Sequence, residues 1–286
     1  LKYQYSEKKQ EAGEYPAGSK HFEVQTQDQF SNPNSVSEDV TIDILSQSPG
    51  PWEISYTSNP WNAIPSKQVV ISTDTYSVIF YYRDEKASRI YTTEPDSWTI
   101  TASAPPLKGW TSGSDRIYIN PSFITQLYLL SDPQTIVAGT PSDVISVETR
   151  DAYDNRSPTS ENTGVTLYSD SGGDYYFSTS SDTLTGDEPE ISSGPVYVVI
   201  PKDSYSLDFY YRDNKVGNPM ITADPDPAWG IATQTHTVVA NVPRQVVFLS
   251  SPTKFVADTA SDEIIIQTRD YWDNPANVTE DTSFAL

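Results

Sequence analysis

The sequence predicts an all-β protein in which antiparallel β-sandwiches follow one another in tandem. Three observations support this prediction: a unit of about 120 residues recurs, its apolar residues alternate with a period of two, and clusters of Pro, Gly, Asn and Asp separate the alternating runs. The 286 residues include 22 Pro, 13 Gly and 19 Tyr, and no long stretch has helical periodicity. Short strands joined by turns are typical of such a composition.

The repeat is clearest in one phrase that occurs three times. It is TQDQFSNPN from residue 26, TRDAYDNRS from residue 149 and TRDYWDNPA from residue 268. Its Asp residues, Asp28, Asp151 and Asp270, are therefore 123 and 119 residues apart. The period predicts three domains: a first repeat over residues 1–124, a second over 125–244, and only the first strands of a third over 245–286.

A second phrase shows how the strands face. YSVIFYYRDEK at 76–86 returns as YSLDFYYRDNK at 205–215. The alternating apolar set that includes Phe80 and Tyr82 aligns with Phe209 and Tyr211, as expected of one inward face of a half-buried strand. About seven such short strands in each repeat point to an antiparallel sandwich.

Charge and composition exclude several classes of function. With 39 acidic and 18 basic residues the formal net charge is −21, which repels phosphate backbones and anionic lipid surfaces. Nucleic acid is therefore not an expected partner, and the absence of an apolar run of spanning length predicts no direct membrane insertion. Zero cysteines exclude disulfides, zinc-thiolate sites and cysteine nucleophiles. Leu1 has no signal peptide after it, so we expect either a processed chain or a fragment.

A family resemblance comes from two stretches. AGTPSDVISVETRDAYDN (138–155) and FYYRDNKVGNPMITA (209–223) resemble the bacterial immunoglobulin-like (Ig-like) repeats of the invasin and intimin kind, which are found in tandem in large prokaryotic surface proteins. The resemblance implies Ig-like sandwiches and an extracellular location at the cell surface, in a stalk, an adhesin or a surface layer. It is informative about architecture and says little about activity.

The repeated Asp has two interpretations. Strand parity places each repeated Asp inward at the end of a strand, together with the aromatic residue two positions later: Asp28 with Phe30, Asp151 with Tyr153 and Asp270 with Trp272. A carboxylate there needs partners. In one interpretation it accepts backbone N–H bonds of the following turn, the Asn adopts the left-handed conformation, and the aromatic residue caps the core. In the other the turn binds calcium, a cation that prefers clustered oxygen ligands. The predicted calcium ligands are Asp151, Asp154 and Asn155 in the second repeat and Asp270, Asp273 and Asn274 in the third.

Other candidate sites are weaker. Trp52 and Trp61 occur only in the first repeat and either stack on a glycan or protein ligand or form a local core under a long loop. Asn155 and Asn277 satisfy the N-glycosylation pattern. No phosphate-binding loop, metalloprotease motif or catalytic triad is recognisable, so the protein is predicted not to be an enzyme.

The third repeat is incomplete. Phe284 and Leu286 continue the parity of an inward strand face, so they should point at a core whose other half is absent. Either the natural chain continues, or the segment is disordered, or another subunit supplies strands by β-strand addition. The last case would make these two residues an assembly site.

Three functions fit these observations. The first is a non-catalytic structural subunit of an extracellular assembly, such as a filament, stalk or surface layer, with self-association or neighbouring repeats as partners. The second is an adhesin or glycan-binding module that recognises a glycan or a host surface ligand. The third is an accessory region of a larger secreted enzyme.

Overall fold

A computed structural model describes residues 2–4, 9–15, 20–88, 97–186, 192–251 and 254–283. These residues form β-strands and two short 3-10 turns, Pro106–Lys108 and Ser181–Leu184, with no α-helix among them. The predicted all-β class is therefore confirmed. No helix in the described parts of the chain has the length and apolarity to cross a membrane.

The chain divides into two compact units. The first comprises Leu1–Ile124 together with Arg150–Ser157, and the second comprises Thr125–Thr149 together with Pro158–Leu286. The division after Ile124 coincides with the first junction of the sequence period. The turn at 150–157 packs in the first unit, although the period places it in the second repeat.

The first unit is a sandwich of two sheets. Their strand orders are β1-β3-β7-β5 and β2-β9-β8-β4-β6. All pairings are antiparallel except that β2 and β9 run parallel. The strands are β1 (Lys2–Gln4), β2 (Lys9–Glu11), β3 (Phe22–Gln25), β4 (Val40–Ser46), β5 (Trp52–Ser55), β6 (Gln68–Ile71), β7 (Ser77–Asp84), β8 (Trp98–Ser103) and β9 (Gly113–Asn120).

Alternation along the strands builds the core of the first unit. The Phe22 ring of one sheet stacks on Phe80 with centroids 5.3 Å apart, and both side chains are buried. They share a single cluster with Ile42 and Ile100 of the other sheet. Burial of such side chains is the main stabilising contribution of a sandwich.

The second unit repeats this arrangement. Its sheets have the orders β10-β12-β16-β14 and β15-β13-β17-β18, and a short parallel pair, β11 with β19, corresponds to β2 with β9. The strands are β10 (Ile124–Leu129), β11 (Thr135–Val137), β12 (Ile145–Asp151), β13 (Thr163–Ser169), β14 (Tyr175–Ser178), β15 (Val196–Ile200), β16 (Ser206–Asp213), β17 (Met220–Asp226), β18 (Ala232–Thr235) and β19 (Thr237–Val239). Its core cluster lies wholly between Leu127 and Ala232.

The described residues after β19 form a strand pair and no second sheet facing it. Two strands, β20 (Gln245–Phe248) and β21 (Ile266–Arg269), pair antiparallel. Val246, Phe248, Phe255 and Ile264 are exposed, whereas their equivalents in the second repeat, Leu127, Leu129, Ile136 and Ile145, are buried. Phe284 and Leu286, the predicted assembly residues, lie outside the described residues, so that interpretation stays a prediction.

Candidate functional site

The repeated Asp ends strand β12 and organises the turn behind it. Val147, Thr149 and Asp151 are all buried, as the strand parity predicts. Asp151 Oδ1 accepts hydrogen bonds from the backbone N–H of Tyr153 (2.8 Å) and of Asn155 (2.9 Å), and Asp151 Oδ2 accepts one from Asn155 Nδ2 at 3.0 Å. The carboxylate therefore closes the turn on itself, which satisfies a buried charge that would otherwise be costly.

The left-handed position of this turn is not the predicted one. The residues with positive φ are Ser31 (67°), Asp154 (59°) and Asp273 (68°), each directly before the Asn. Because the preceding residue makes the tight bend, the side chain of the Asn is available for contacts outside the turn. Asp tolerates the left-handed region better than most residues.

The Asn155 amide binds the backbone of the first unit. Asn155 Nδ2 donates to the Glu85 carbonyl oxygen (2.8 Å), and the Ala87 backbone N–H donates to Asn155 Oδ1 (3.0 Å). The Ser122 N–H donates to Asp151 Oδ2 at 2.8 Å. Both Asn155 and Asp151 are thus buried with their polar atoms paired. We call residues 151–155 the second turn, and the surface that holds it, formed by Gly13, Arg83, Glu85, Ala87 and Ser122, the first socket.

The aromatic residue of the turn fills a slot in this socket. Tyr153 packs against the core cluster of the first unit. Gly13 lies under its ring with φ at 71°, and a Cβ at that position would overlap the Tyr153 side chain. Arg83 lies beside Tyr153 and donates from Nε to the Gly13 carbonyl oxygen at 3.0 Å. Glycine is required at position 13 by both the backbone conformation and the close approach.

The same arrangement recurs within the second unit. Asn274 Nδ2 donates to the Asn214 carbonyl oxygen (2.8 Å), and the Val216 N–H donates to Asn274 Oδ1 (3.1 Å). The Asn241 N–H donates to Asp270 Oδ2 at 3.1 Å. Each atom pair has its counterpart in the first socket, at nearly the same distance. We call residues 270–274 the third turn, and its surroundings, formed by Gly139, Arg212, Asn214, Val216 and Asn241, the second socket.

A tryptophan occupies the slot of the second socket. A Cβ on Gly139, whose φ is 76°, would overlap the ring of Trp272. The guanidinium carbon of Arg212 lies 5.6 Å from the centre of a Trp272 ring, within range of a cation–π interaction. The slot therefore accepts Tyr or Trp, with an arginine beside either ring.

The YYRD phrase builds the rim of each socket. Tyr82 donates its hydroxyl hydrogen to Asp84 Oδ2 (2.6 Å), and the Lys86 N–H donates to Asp84 Oδ1 (2.8 Å). Tyr211, Asp213 and Lys215 make the same contacts at 2.6 and 2.8 Å. These bonds shape the loop whose backbone groups meet the Asn. Burial and the neighbouring Asp84 raise the pKa of Tyr82 above its usual range, and burial raises the pKa of Asp84. The Tyr82 hydroxyl thus stays a hydrogen-bond donor.

The first copy of the turn has the same internal geometry, and no socket encloses it among the described residues. Asp28 Oδ1 accepts from the Phe30 and Asn32 N–H groups, both at 2.9 Å, and Asp28 Oδ2 accepts from Asn32 Nδ2 at 3.1 Å. The hydrogen bonds from Asn32 lower the pKa of the Asp28 carboxyl. Asn32 is exposed, and the Phe30 side chain is 74% exposed, so the inward placement that strand parity predicts for Phe30 is wrong. We call residues 28–32 the first turn.

The contacts around the predicted calcium ligands are those of the turn interpretation. Both oxygens of Asp151 already accept N–H bonds, and so do those of Asp270. Asp154 forms an exposed ion pair with Arg150 (3.9 Å) and Asp273 one with Arg269 (2.7 Å). Among the described residues, no three His, Cys, Asp or Glu side chains cluster as a metal site would. Calcium binding stays a prediction from the sequence.

Trp52 and Trp61 do not present their rings as a pair. Trp52 lies in strand β5 and stacks on Tyr82 with centroids 5.8 Å apart, while Lys67 Nζ lies 3.7 Å from its ring centre. Trp61 donates from Nε1 to Glu53 Oε2 at 3.0 Å. Both side chains are half-buried in contacts of the first unit, as the local-core interpretation expects. Ligand binding by these residues stays a prediction.

The two glycosylation positions differ in access. Asn277 is exposed. Asn155 is buried, and its amide nitrogen donates to Glu85 and to Asp151. A glycan on that nitrogen would displace the turn from its socket, whereas Asn277 is accessible. Glycosylation at either residue stays a prediction.

No protein-family model matches the chain, and no curated protein matches it. Solved structures do match. They include domains 4 and 5 of the S-layer protein SbsC (15% identity, TM-score 0.28, covering 50% of this chain and 65% of that one). They also include invasin, a bacterial integrin-binding protein (14%, 0.35, 91% and 44%), and InvD of Yersinia pseudotuberculosis (11%, 0.33, 89% and 66%).

The chain thus spans less than two thirds of the first of these structures and less than half of invasin. The matched proteins are of the kind that the sequence motifs resemble. The sequence motifs and these low-identity likenesses thus name the same kind of protein, bacterial surface proteins.

Proposed function

We propose that this protein is a non-catalytic structural segment of an extracellular, cell-surface protein in which Ig-like units are fixed in series by a turn and a socket. The observation that carries the proposal is the recurrence of one set of contacts. The second and third turns are 119 residues apart in the sequence, and each makes the same bonds in its socket.

The turn and the socket are suited to holding a fixed geometry. The Asn amide is satisfied on both sides by backbone groups, and the Asp carboxylate accepts N–H bonds from its own turn and from the socket. Hydrogen bonds to a charged group stabilise by roughly 1.5–3 kcal/mol each, and leaving such buried groups unpaired costs a similar amount. The expected partners are therefore neighbouring repeats of the same kind.

The titratable groups of the site have structural roles. The shifted pKa values at Tyr82 and Asp84 belong to a buried pair that shapes the socket rim, and Asp84 accepts N–H and O–H bonds. The net charge of −21 favours solubility and repulsion between molecules at an outer surface. Both features support a structural role over a catalytic one.

Removing the Asn amide tests the mechanical part of this proposal. Because the chain has no cysteine, spin labels can be placed on Thr41→Cys and Val199→Cys alone. Asn155→Ala leaves Glu85 O and Ala87 N–H without their partner, so we expect a wider label-to-label distance distribution and a loss of about 1–3 kcal/mol in unfolding free energy of the first unit. Asn32→Ala, in the exposed first turn, is the matched control and should change neither. An unchanged distribution in Asn155→Ala would contradict the proposal.

The location is tested on intact cells of the source organism. Protease added outside the cells should remove the protein while a cytoplasmic marker stays intact. Protection of the protein until the cells are lysed would rule out a surface location.

A further inference from the structure

We propose that the first turn is a docking element for a further Ig-like unit that carries a vacant socket of the same type. This inference rests on the proposed function, since it names the partner that the first turn would bind. Among the described residues no socket encloses the first turn, yet its internal hydrogen bonds are the same as those of the second and third turns.

The first turn is preformed. Its three hydrogen bonds from residues 30 and 32 to the Asp carboxylate are 2.9, 2.9 and 3.1 Å long, against 2.8, 2.9 and 3.0 Å in the second turn. The left-handed residue is also in the same place, Ser31 at φ 67°. The socket therefore does not create this conformation. A turn that is already ordered loses little conformational entropy when it binds.

The groups that the socket would satisfy are exposed in the first turn. Asn32 is exposed, and Phe30 is among the most exposed large apolar side chains of the described chain. Asp28 Oδ2 accepts from Asn32 Nδ2, and among the described residues it has no counterpart of the N–H that Ser122 and Asn241 donate to the docked turns. The first turn thus presents an aromatic ring, an amide and a carboxylate oxygen, the three groups that the sockets bind.

The two observed sockets define the chemistry of the partner. It needs a backbone carbonyl and an N–H two residues apart for the Asn amide, and a further backbone N–H for the carboxylate. It also needs a glycine-floored slot with an arginine beside it for the aromatic ring. Both sockets of this chain are already filled by its own turns, so the partner is an Ig-like unit whose socket is open.

A vacated second socket supplies such a partner for the test. The unlabelled probe is the full chain with Trp272→Ala and Asn274→Ala, which empties the socket, and with Phe30→Ala and Asn32→Ala, which prevents the probe from binding itself. Neither Trp272 nor Asn274 belongs to the core cluster of the second unit, so these changes leave that cluster intact. The probe is titrated into the isotope-labelled natural chain up to about 1 mM, where dissociation constants in the millimolar range are detectable.

We expect the amide resonances of residues 28–32 to shift in proportion to the vacated probe. A probe with the same Phe30 and Asn32 changes but with Trp272 and Asn274 intact should cause no shift. A labelled chain with Phe30→Ala and Asn32→Ala should not respond to the vacated probe either.

No shift at residues 28–32, with a probe whose second unit still unfolds in one cooperative transition, would overturn the inference. If that probe folds poorly, Trp272→Ser with Asn274→Asp is a second way to empty the socket. The new carboxylate at position 274 would face the Asn214 carbonyl oxygen, to which Asn274 donates, and would be repelled by it. If residues 28–32 show no shift while the label-to-label distance distribution widens in Asn155→Ala, this inference is wrong and the proposed function is supported.

Discussion

The first repeat and the third segment are opposite cases. In the first repeat the sandwich is complete, with Phe22 and Phe80 stacked in a closed core, while its turn at 28–32 is exposed. In the third segment Val246 and Phe248 of strand β20 are exposed, while Asp270 and Asn274 of the third turn are buried in the second socket. Docking of the turn and completion of the sandwich are therefore separate events, and each is stabilised by its own contacts.

The largest expected effect is on the complete core. Phe22→Ala should lower the unfolding free energy of the first unit by about 3–5 kcal/mol, because it removes a fully buried ring and leaves a cavity. Phe248→Ala, at a side chain that is 65% exposed in the third segment, should change the unfolding free energy by less than about 0.5 kcal/mol. Calorimetry with separate transitions for the two units measures both. Equal losses would show that the third segment has a core after all.

The next effect concerns the docked turn of the third segment. Gly139→Ala should destabilise the second unit by about 3 kcal/mol. The alanine would have to keep the left-handed backbone conformation of Gly139, and its Cβ would overlap Trp272. Gly186→Ala, with φ at 84° and open space around it, should cost only the backbone strain of about 1–2 kcal/mol. In a Trp272→Ala background the excess cost of Gly139→Ala should disappear, as urea unfolding can measure. A cost independent of Trp272 would mean that the ring is not held against Gly139 in solution.

A smaller effect is expected in the exposed turn of the first repeat. Hydrogen bonds from Asn32 and Phe30 lower the pKa of Asp28, so the ionised carboxylate stabilises this turn above the unfolded pKa of about 3.9. That stabilisation is lost as the pH falls through the lowered value. The amide resonances of Phe30 and Asn32 should be constant near neutral pH and should titrate only in the acid range. Asp28→Asn should abolish this titration, and a transition near pH 5 or above would contradict the assigned cause.

The smallest effect is expected from calcium. A site with a dissociation constant of about 0.1 mM would add roughly 2 kcal/mol of stability at about 5 mM calcium. The Asp carboxylates of the docked turns already accept N–H bonds, so we expect a change below about 0.5 kcal/mol, no greater than with magnesium, in thermal unfolding. A calcium-specific increase near the larger figure would establish the calcium interpretation of the sequence.

The fold was predictable because alternation is a property of side chains. Strand parity correctly placed Val147, Thr149 and Asp151 inward, and the tandem sandwiches followed from the period. The apolar residues of the third segment obey the same pattern while being exposed. A sequence pattern specifies which face a residue takes, and the presence of a covering sheet decides whether that face is buried.

Of the turn and the socket that form the site, only the turn was predictable from the sequence. The Asp, aromatic and Asn residues of the turn recur visibly in the sequence, and one of their two interpretations described their internal bonds. Their binding partners are backbone groups at Glu85 and Ala87 in one socket and at Asn214 and Val216 in the other. Backbone groups carry no residue identity, so no motif marked them. The recurrence of YYRD just before each set was the signal that could have located the sockets.

That each socket recognises the Asn through main-chain atoms has a consequence for how such a gene changes over time. Glu85 and Asn214 differ in charge, and Ala87 and Val216 differ in size, yet they present the same carbonyl and N–H. Under the proposed function, units with divergent sequences would therefore remain interchangeable at their ends. Unequal crossover could lengthen, shorten or reshuffle the array, and every newly created boundary would already be compatible.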